Sequence, residues 1–373
     1  MTPVQTRVIP FFDYPHLFTA EEEELVAIFC DVGRRGAFIA QQDGERFERN
    51  LAAYLGAKHV IGVANATDGL LIALRASGVQ HGDEVIFCSH TMVATASAIH
   101  FAGATPIPVE CGPDHLIDPA SVEAAITTRT RAILPTQLNG RTADMHALGA
   151  IARRHDLLLV EDAAQALGSR FDDRPAARFG ASAAISFFPA KLLGCLGDGG
   201  CVVTNDDAIH DRMLQLHDHG RRADGEIISW GLNSRLDNLQ AAILDYRLNS
   251  YPLAIVRRRA LADVYQSRLG DLDEVTLPPA PGSDPLHFDV FQNYEIEADR
   301  RDGLREYLTS RGIRTLVPWG GKAVHQWPAL GFPQQLPFTD GLFKRLLLLP
   351  MNLSLTDDQA QEVCDAIHQF YRR

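Results

Sequence analysis

The sequence lacks several features that would assign the protein to a class at once. Its 373 residues contain only six cysteines, and no two of them stand at the spacing of a metal site or a redox motif. The most apolar stretch, Leu346–Pro350, is far shorter than the roughly 20 residues that span a bilayer. Met1–Phe12 has no apolar run typical of a signal peptide. No Gly-x-Gly-x-x-Gly follows the first predicted strands, which ranks a nicotinamide dehydrogenase last among the possible classes.

Positive charge is also scarce. Lys and Arg number 35 against 47 Asp and Glu, so the net charge is -12. An acidic surface repels phosphate backbones and anionic lipids, so we expect neither nucleic acid nor membrane as a partner. The hydrophobic fraction of 46% and the charged fraction of 22% are those of a folded globular protein. We expect a cytoplasmic protein with buried free thiols and no metal site.

The chain is too long for one core, because single cores stop growing at roughly 250–300 residues. Short apolar runs alternate with helical patterns, which indicates a mostly parallel sheet covered by helices on both faces. The predicted strands are Val60–Ala64, Glu84–Cys88, Thr105–Val109, Ala132–Pro135, Leu157–Glu161, Ala183–Phe188 and Gly200–Thr204. The predicted helices between them are Leu70–Ser77, Ala94–Ala102, Pro119–Ile126, Ala143–Arg154 and Asp206–His217.

The second half of the chain has a different pattern. One long helical stretch is predicted over Leu239–Leu269, with Pro252 early in it. A proline-rich break follows, and then a strand at Asn293–Glu297 and helices at Asp302–Arg311 and Asp357–Tyr371. We therefore predict an α/β protein with a three-layer large domain over residues 1–250, including an N-terminal arm. A smaller C-terminal α/β domain is predicted over residues 251–373.

Ligands of such sheets bind at the carboxyl ends of strands, and four segments stand at such ends or before a helix. Residues 64–69 form a turn of small residues before a helix, suited to a phosphate or to a plain N-cap at Asn65 or Thr67. Residues 161–165 place acids after a strand, where an N-cap is the alternative. Residues 186–191 end in Lys191, which burial would make reactive and which is otherwise an ordinary surface lysine. Residues 230–237 form a donor-rich turn or a capped helix start.

Taken together, the four segments match the needs of one cofactor. Pyridoxal 5'-phosphate requires a helix N-terminus for its phosphate, a carboxylate for its ring nitrogen and a lysine for its aldehyde. The sequence supplies these in that order.

With these four segments, the sequence resembles the DegT/DnrJ/EryC1/StrS family of sugar aminotransferases, which are pyridoxal-phosphate enzymes of the aspartate-aminotransferase fold. The resemblance runs from Phe38 to Met351, and it includes Gly82–Ile86, Glu161–Gln165 and Gly197–Gly200. Such an ordered series of matches is more specific than any single motif.

The resemblance implies a role for individual residues. Lys191 corresponds to the Schiff-base lysine, Asp162 to the partner of the ring nitrogen, and Gln165 to the residue that contacts the phenolic oxygen. Ala66, Thr67 and Ser186 fall at the phosphate, and Met92 falls where the family often stacks an aromatic ring. Asn233 corresponds to an amide that reaches the phosphate from a neighbouring subunit, which implies a homodimer with shared active sites. Candidate substrate contacts are Gln137, Asn139, Arg141, Arg235, Lys322 and His325.

Three departures from the family pattern affect these expectations. Ala66 replaces a usual glycine, which is tolerable only if its φ is negative. Met92 offers a thioether in place of a ring. The segment 135–140 replaces the usual histidine-and-tyrosine version, a change that bears on substrate choice.

The resemblance implies amino transfer from L-glutamate to a keto-sugar. The favoured substrate is a nucleotide-linked 3- or 4-keto-6-deoxy sugar, for bacterial surface-polysaccharide or glycoside biosynthesis. The alternative is an oxidised octulosonate, which would yield 8-amino-3,8-dideoxy-octulosonate. A keto-sugar dehydratase of the same fold carries histidine where this chain has Lys191. A non-catalytic sugar- or cofactor-binding regulator is the rival from another class.

Overall fold

The computed structural model describes residues 8–222 and 224–372. Its α-helices are α1 Tyr14–Thr19, α2 Glu22–Arg35, α3 Gln42–Leu55, α4 Ala66–Ala76, α5 Val93–Phe101, α6 Pro119–Ala124, α7 Met145–His155, α8 Asp207–His217, α9 Asn238–Leu248, α10 Tyr251–Leu269, α11 Arg301–Ser310, α12 Pro337–Leu342 and α13 Asp357–Tyr371. Its strands are β1 His59–Val63, β2 Glu84–Cys88, β3 Thr105–Val109, β4 Thr130–Leu134, β5 Leu158–Asp162, β6 Arg170–Phe171, β7 Arg174–Pro175, β8 Ser182–Ser186, β9 Gly200–Thr204, β10 Val275–Thr276, β11 His287–Phe288, β12 Tyr294–Ala298 and β13 Leu346–Leu349.

A seven-stranded sheet organises the first part of the chain. Its strand order is β1-β9-β8-β5-β4-β2-β3, and β9 runs antiparallel to both of its neighbours while the other pairs are parallel. Successive side chains of a strand point to opposite faces. Accordingly Val202 packs into a core that includes Leu70 of α4, whereas Val203 packs into a second core that includes Phe47 of α3. The prediction of a mostly parallel sheet covered on both faces is confirmed.

The prediction of a single long helix over Leu239–Leu269 is wrong. The structure has two helices there, α9 and α10, which are separated at Asn249 and Ser250. Pro252 lies in the first turn of α10, where a missing backbone N–H leaves no hydrogen bond unmade. The proline therefore marks a helix start and not a tolerated interruption.

A smaller antiparallel sheet, in the order β10-β12-β13, lies in the C-terminal part. Its core includes residues of α10, α11 and α13 and also Ile9, which forms a bridge to Ile313. Strand β11, by contrast, pairs with β6. Within the described chain, no helix is long and apolar enough to cross a membrane.

Candidate active site

Lys191 lies in the turn that follows β8, and a glutamine from far along the chain fixes that turn. Gln292 accepts a hydrogen bond from the N–H of Leu192 (2.8 Å) and donates one to the carbonyl of Ala190 (2.8 Å). The two bonds bracket the lysine on both sides. Burial of Lys191 lowers its pKa to about 8, although the charge of Asp162 acts in the opposite direction. A much larger fraction of this amine is therefore unprotonated near neutral pH than of an exposed lysine.

Asp162 is the last residue of β5, the strand next to β8 in the sheet. Burial raises the pKa of its carboxyl, while hydrogen bonds from Thr95 and Ala164 and the charge of Lys191 lower it. The bond from the Thr95 hydroxyl is 2.7 Å long, and that from the N–H of Ala164 is 3.1 Å. A buried carboxylate of this kind is stabilised by a cationic partner.

A chain of threonine hydroxyls supports Asp162, and sequence analysis missed it. Thr91 lies 2.9 Å from the hydroxyl of Thr95 and 3.0 Å from that of Thr136. Thr95 completes the chain by donating to Asp162. Thr91 and Thr95 stand four residues apart, but Thr136 and Asp162 lie in distant segments, so no local pattern could identify the whole chain of hydroxyls.

The predicted phosphate turn begins α4. Asn65 caps the helix by accepting a hydrogen bond from the N–H of Asp68 (2.9 Å), as the alternative interpretation expected. Ala66 is the first helical residue, so its φ is negative and its methyl group is tolerated. Among the described residues, the N–H groups of Ala66 and Thr67 have no hydrogen-bond acceptor. These two donors at a helix N-terminus suit a phosphate.

The close approach of Gly200 shapes the same turn. A Cβ at Gly200 would lie 2.7 Å from the carbonyl carbon of Asn65 and 2.8 Å from the nitrogen of Ala66. Only glycine permits that contact without displacement of the turn. Ser234 adds a further support, since its hydroxyl accepts from the N–H of Ala64 (3.1 Å).

A cavity of about 160 Å³ is bordered both by Lys191 and by residues of the small sheet. It is lined by Phe12, Asn139, Gln165, Phe188, Ala190, Lys191, Gln292, Asn293, Glu295, Leu316, Pro318, Trp319 and Leu348. The carboxylate, the lysine and the unoccupied donors of the helix start are the groups that pyridoxal phosphate requires. The residues present therefore fit that cofactor. The described part of the chain contains no group of three His, Cys, Asp or Glu residues able to hold a metal ion.

Three other predicted cofactor contacts do not line this cavity. Ser186 ends β8 and lines a small pocket together with Gln165 and Lys191. Met92 is half-exposed at the N-terminus of α5, and its sulfur accepts from the N–H of Ala94 (3.1 Å). Asn233 is exposed, so its side chain is accessible to another molecule, while its backbone forms an antiparallel bridge with Asp218.

The predicted substrate contacts are dispersed. Asn139 lines the cavity. Gln137, in contrast, is fully buried, and its amide donates to Glu161 (2.9 Å) and accepts from the N–H of Ala143 (2.7 Å). The structure thus places Gln137 inside the large sheet's core and not on the cavity wall.

Arg141 forms ion pairs with Asp289 (2.6 Å) and Asp284 (2.9 Å), and it lines a neighbouring cavity that Asn139 shares. The remaining three predicted contacts are engaged elsewhere. Arg235 faces Asp218 at 3.7 Å, Lys322 lies over the ring of Trp327, and His325 bonds to Ser89 and Asp340.

Comparison with known proteins identifies relatives of this chain. The model of the DegT/DnrJ/EryC1/StrS aminotransferase family matches residues 19–368. A dTDP-3-amino-3,4,6-trideoxy-alpha-D-glucose transaminase of Streptomyces venezuelae is 41% identical over 99% of this chain and 98% of its own length. A "pleiotropic regulatory protein" of Geobacillus stearothermophilus is 39% identical over 98% of this chain and 99% of its own.

Two solved structures show the same fold. The crystal structure of S. venezuelae DesV in complex with a ketimine intermediate has a TM-score of 0.94 and 40% identity, and covers 99% of this chain and 100% of its own. NtdA of Bacillus subtilis with bound cofactor PMP has a TM-score of 0.91 and 28% identity, and covers 100% of this chain and 87% of its own.

Proposed function

The chain belongs to the DegT/DnrJ/EryC1/StrS aminotransferase family, and on that premise we propose that it transfers an amino group from L-glutamate to a nucleotide-linked keto-sugar. The family is dependent on pyridoxal phosphate, so the protein is a pyridoxal-phosphate aminotransferase. The substrate we propose is a 3- or 4-keto-6-deoxy sugar on a nucleotide. In support, the S. venezuelae relative, by its name, acts on a dTDP-linked 3-amino trideoxy sugar.

One observation carries the proposal, namely that Lys191 and Asp162 converge at the ends of two adjacent strands, β8 and β5. Burial holds the pKa of Lys191 at about 8. A lysine of this kind forms a covalent link to an aldehyde and exchanges protons near neutral pH. A binding protein without catalysis has no need for an amine with a lowered pKa.

Each residue of the candidate site has its own role in the proposed reaction. Pyridoxal phosphate, when bound, supplies an electron sink for negative charge that develops on a substrate carbon. We assign to Asp162 the retention of a proton on the ring nitrogen, and to Ala66, Thr67 and Ser186 the binding of the phosphate. Lys191 anchors the aldehyde, and its amine, once released by the amino donor, carries the proton between carbon atoms.

We also propose a homodimer in which active sites are shared. An exposed apolar group supports this assembly, because Trp230 is 96% exposed and Ile227 is 63% exposed. Exposed apolar side chains that cluster on one loop mark contact surfaces. Asn233 lies on the same loop, where a partner's phosphate turn would be within reach in such an assembly.

We further propose a cytoplasmic location, which the six free thiols support. We also propose the division of the chain into domains 1–250 and 251–373.

Amination assays test the proposed function. Purified protein is supplied with L-glutamate and with either TDP- and UDP-linked 3-keto and 4-keto sugars or the oxidised octulosonate. Release of 2-oxoglutarate and the mass of the aminated product are measured. We expect amination of a nucleotide sugar, loss of both turnover and the visible cofactor band in Lys191→Ala, and normal turnover in Lys58→Ala, which removes an exposed lysine.

The same assay distinguishes the proposed function from the alternative substrate and from the regulator hypothesis. Amination of the octulosonate alone would replace the proposed substrate with the alternative one. If glutamate never converts the bound cofactor to its pyridoxamine form, the regulator hypothesis would be favoured instead. A Lys191→Ala variant that turned over at the normal rate would contradict the assignment of Lys191.

A further inference from the structure

Three amide side chains meet at the wall of the Lys191 cavity, and one backbone group determines how all three are oriented. The N–H of Asn139 lies 2.9 Å from the side chain of Gln165. A backbone N–H can only donate, so the Gln165 atom that faces it is the carbonyl oxygen. Asn293 lies 3.2 Å from that same oxygen and 2.9 Å from the side chain of Asn139. The Asn293 atom in both contacts is therefore its amide nitrogen, which donates.

This arrangement leaves Gln165 with one free end. Its oxygen accepts from both Asn139 and Asn293. Its amide nitrogen has no partner among the described residues, and Gln165 lines the same cavity as Lys191. The free end of Gln165 is thus a donor, and Asn293 blocks the opposite orientation.

The surrounding backbone keeps the three amides in place. Asn139 has a left-handed φ of 54°, a conformation that asparagine adopts more readily than most residues. At the next residue, Gly140, a Cβ would lie 2.7 Å from the nitrogens of both Phe291 and Gln292. The 139–140 turn is therefore packed directly against the segment that carries Asn293. That segment is held from the other side by Arg258, which donates to the carbonyl of Gln292 (2.9 Å).

We propose that Asn293 is a positioning residue: it holds Gln165 so that the amide N–H of Gln165 is directed at the phenolic oxygen of the cofactor. The inference rests on the proposed function only through the bound cofactor. That oxygen carries negative charge, and a fixed N–H donor stabilises the charge. Without Asn293, the N–H of Asn139 alone would hold Gln165 in this orientation. Asn293 precedes β12 of the small sheet, so the position of that sheet sets a property of the cofactor held by the large one.

The test is a pH titration of the visible absorption band of the lysine-bound cofactor in the holoenzyme. In Asn293→Asp the new carboxylate accepts and cannot donate, so it attracts the nitrogen of Gln165, whereas the N–H of Asn139 favours the original orientation. When Gln165 turns toward the carboxylate, its oxygen faces the cofactor. The phenolic oxygen then holds the proton that it shares with the lysine nitrogen more tightly. We expect the midpoint to rise by about one pH unit.

A double-mutant cycle separates orientation from charge, because Asn293→Asp also adds a negative charge. The substitution is repeated in a Gln165→Ala background, where only the charge remains to act. We expect a shift smaller by half or more in that background. Equal shifts in both backgrounds would overturn the proposal, and so would an unchanged midpoint in Asn293→Asp. Each variant is first checked for cofactor content per subunit and for melting temperature.

The outcome is independent of catalysis. A wild-type protein that binds the cofactor and aminates no keto-sugar would contradict the proposed function, yet the titration would still decide the role of Asn293. Asn293→Ala, which is uncharged, serves as a second variant, and for it we expect a smaller rise of the midpoint.

Discussion

A largely buried cluster of two histidines and two glutamates yields a prediction about stability and pH. Glu295, on β12, lies 2.9 Å from His115 and 3.4 Å from His90. His115 also faces Glu297 at 3.3 Å, and Arg345 approaches Glu297 from the other side at 3.3 Å. Burial by itself would lower the pKa of His115, but the two glutamates outweigh it and raise the pKa to about 9. The pKa of Glu295 falls to about 2, because the histidines outweigh its burial.

The sign and size of the effect follow from linkage. A histidine whose pKa is raised in the folded state contributes stability that is fully present below its unfolded pKa. That contribution is lost as the pH rises through the folded value. For His115 the interval runs from 6.5 to about 9. Each pKa unit corresponds to about 1.4 kcal/mol, so the interval corresponds to about 3 kcal/mol. Removal of His115 also relieves His90 of a neighbouring charge, which reduces the expected difference to about 2–3 kcal/mol.

The perturbation is His115→Asn, chosen because His115 has a left-handed φ of 65° that asparagine tolerates. Urea unfolding of the cofactor-saturated wild type and variant is followed by fluorescence at fixed salt over about pH 6 to 10. We expect the variant to be less stable by about 2–3 kcal/mol at about pH 6 and by much less at about pH 10. The control is His146→Asn, which removes an exposed ion pair with Asp172. A difference between wild type and His115→Asn that stays constant across the pH range would refute the reasoning.

Two further predictions concern the phosphate turn and the exposed loop. Gly200→Ala forces a Cβ to within 2.7 Å of Asn65, so we expect cofactor affinity, measured by equilibrium dialysis, to fall at least about tenfold. Gly33→Ala, which meets open space, should leave it unchanged. Trp230→Glu places a charge on the proposed dimer surface, so sedimentation equilibrium should show dissociation at concentrations where the wild type is dimeric. A Trp230→Glu protein as dimeric as the wild type would contradict the proposed role of that loop.

Local patterns predicted the large sheet well, because its strands are buried on both faces and read as short apolar runs. The bounds of Glu84–Cys88, Thr105–Val109 and Gly200–Thr204 agree with the structure. The direction of β9 was not predictable, since an apolar run carries no information about its neighbours. The break between α9 and α10 was missed because helical periodicity continues across it, although Pro252 held the relevant signal.

The candidate site could be predicted only where the chain itself places residues together. Asp162 ends β5 and Lys191 follows β8, so the strand pattern alone directed attention to them. Gln292 acts on the turn at Lys191 from 100 residues away, and Asn293 acts on Gln165 from 128 residues away. Such contacts depend on how the small sheet packs on the large one, and a single sequence does not display that packing. His325 was expected at the substrate, but its ring is held by Ser89 and Asp340.

The position of Ile9 has a consequence for the order in which the protein folds during synthesis. Its N–H donates to the carbonyl of Gly312 (2.9 Å) and its carbonyl accepts from Arg314 (3.0 Å). Nearby, Asn352 donates to the carbonyl of Pro10 (2.8 Å). The first described residues thus complete a core whose other members leave the ribosome last. During synthesis Ile9 and Pro10 cannot form these bonds until residues 312–352 have been made. Because Phe12 and Leu348 both line the Lys191 cavity, the cavity too is completed only when these two distant segments meet.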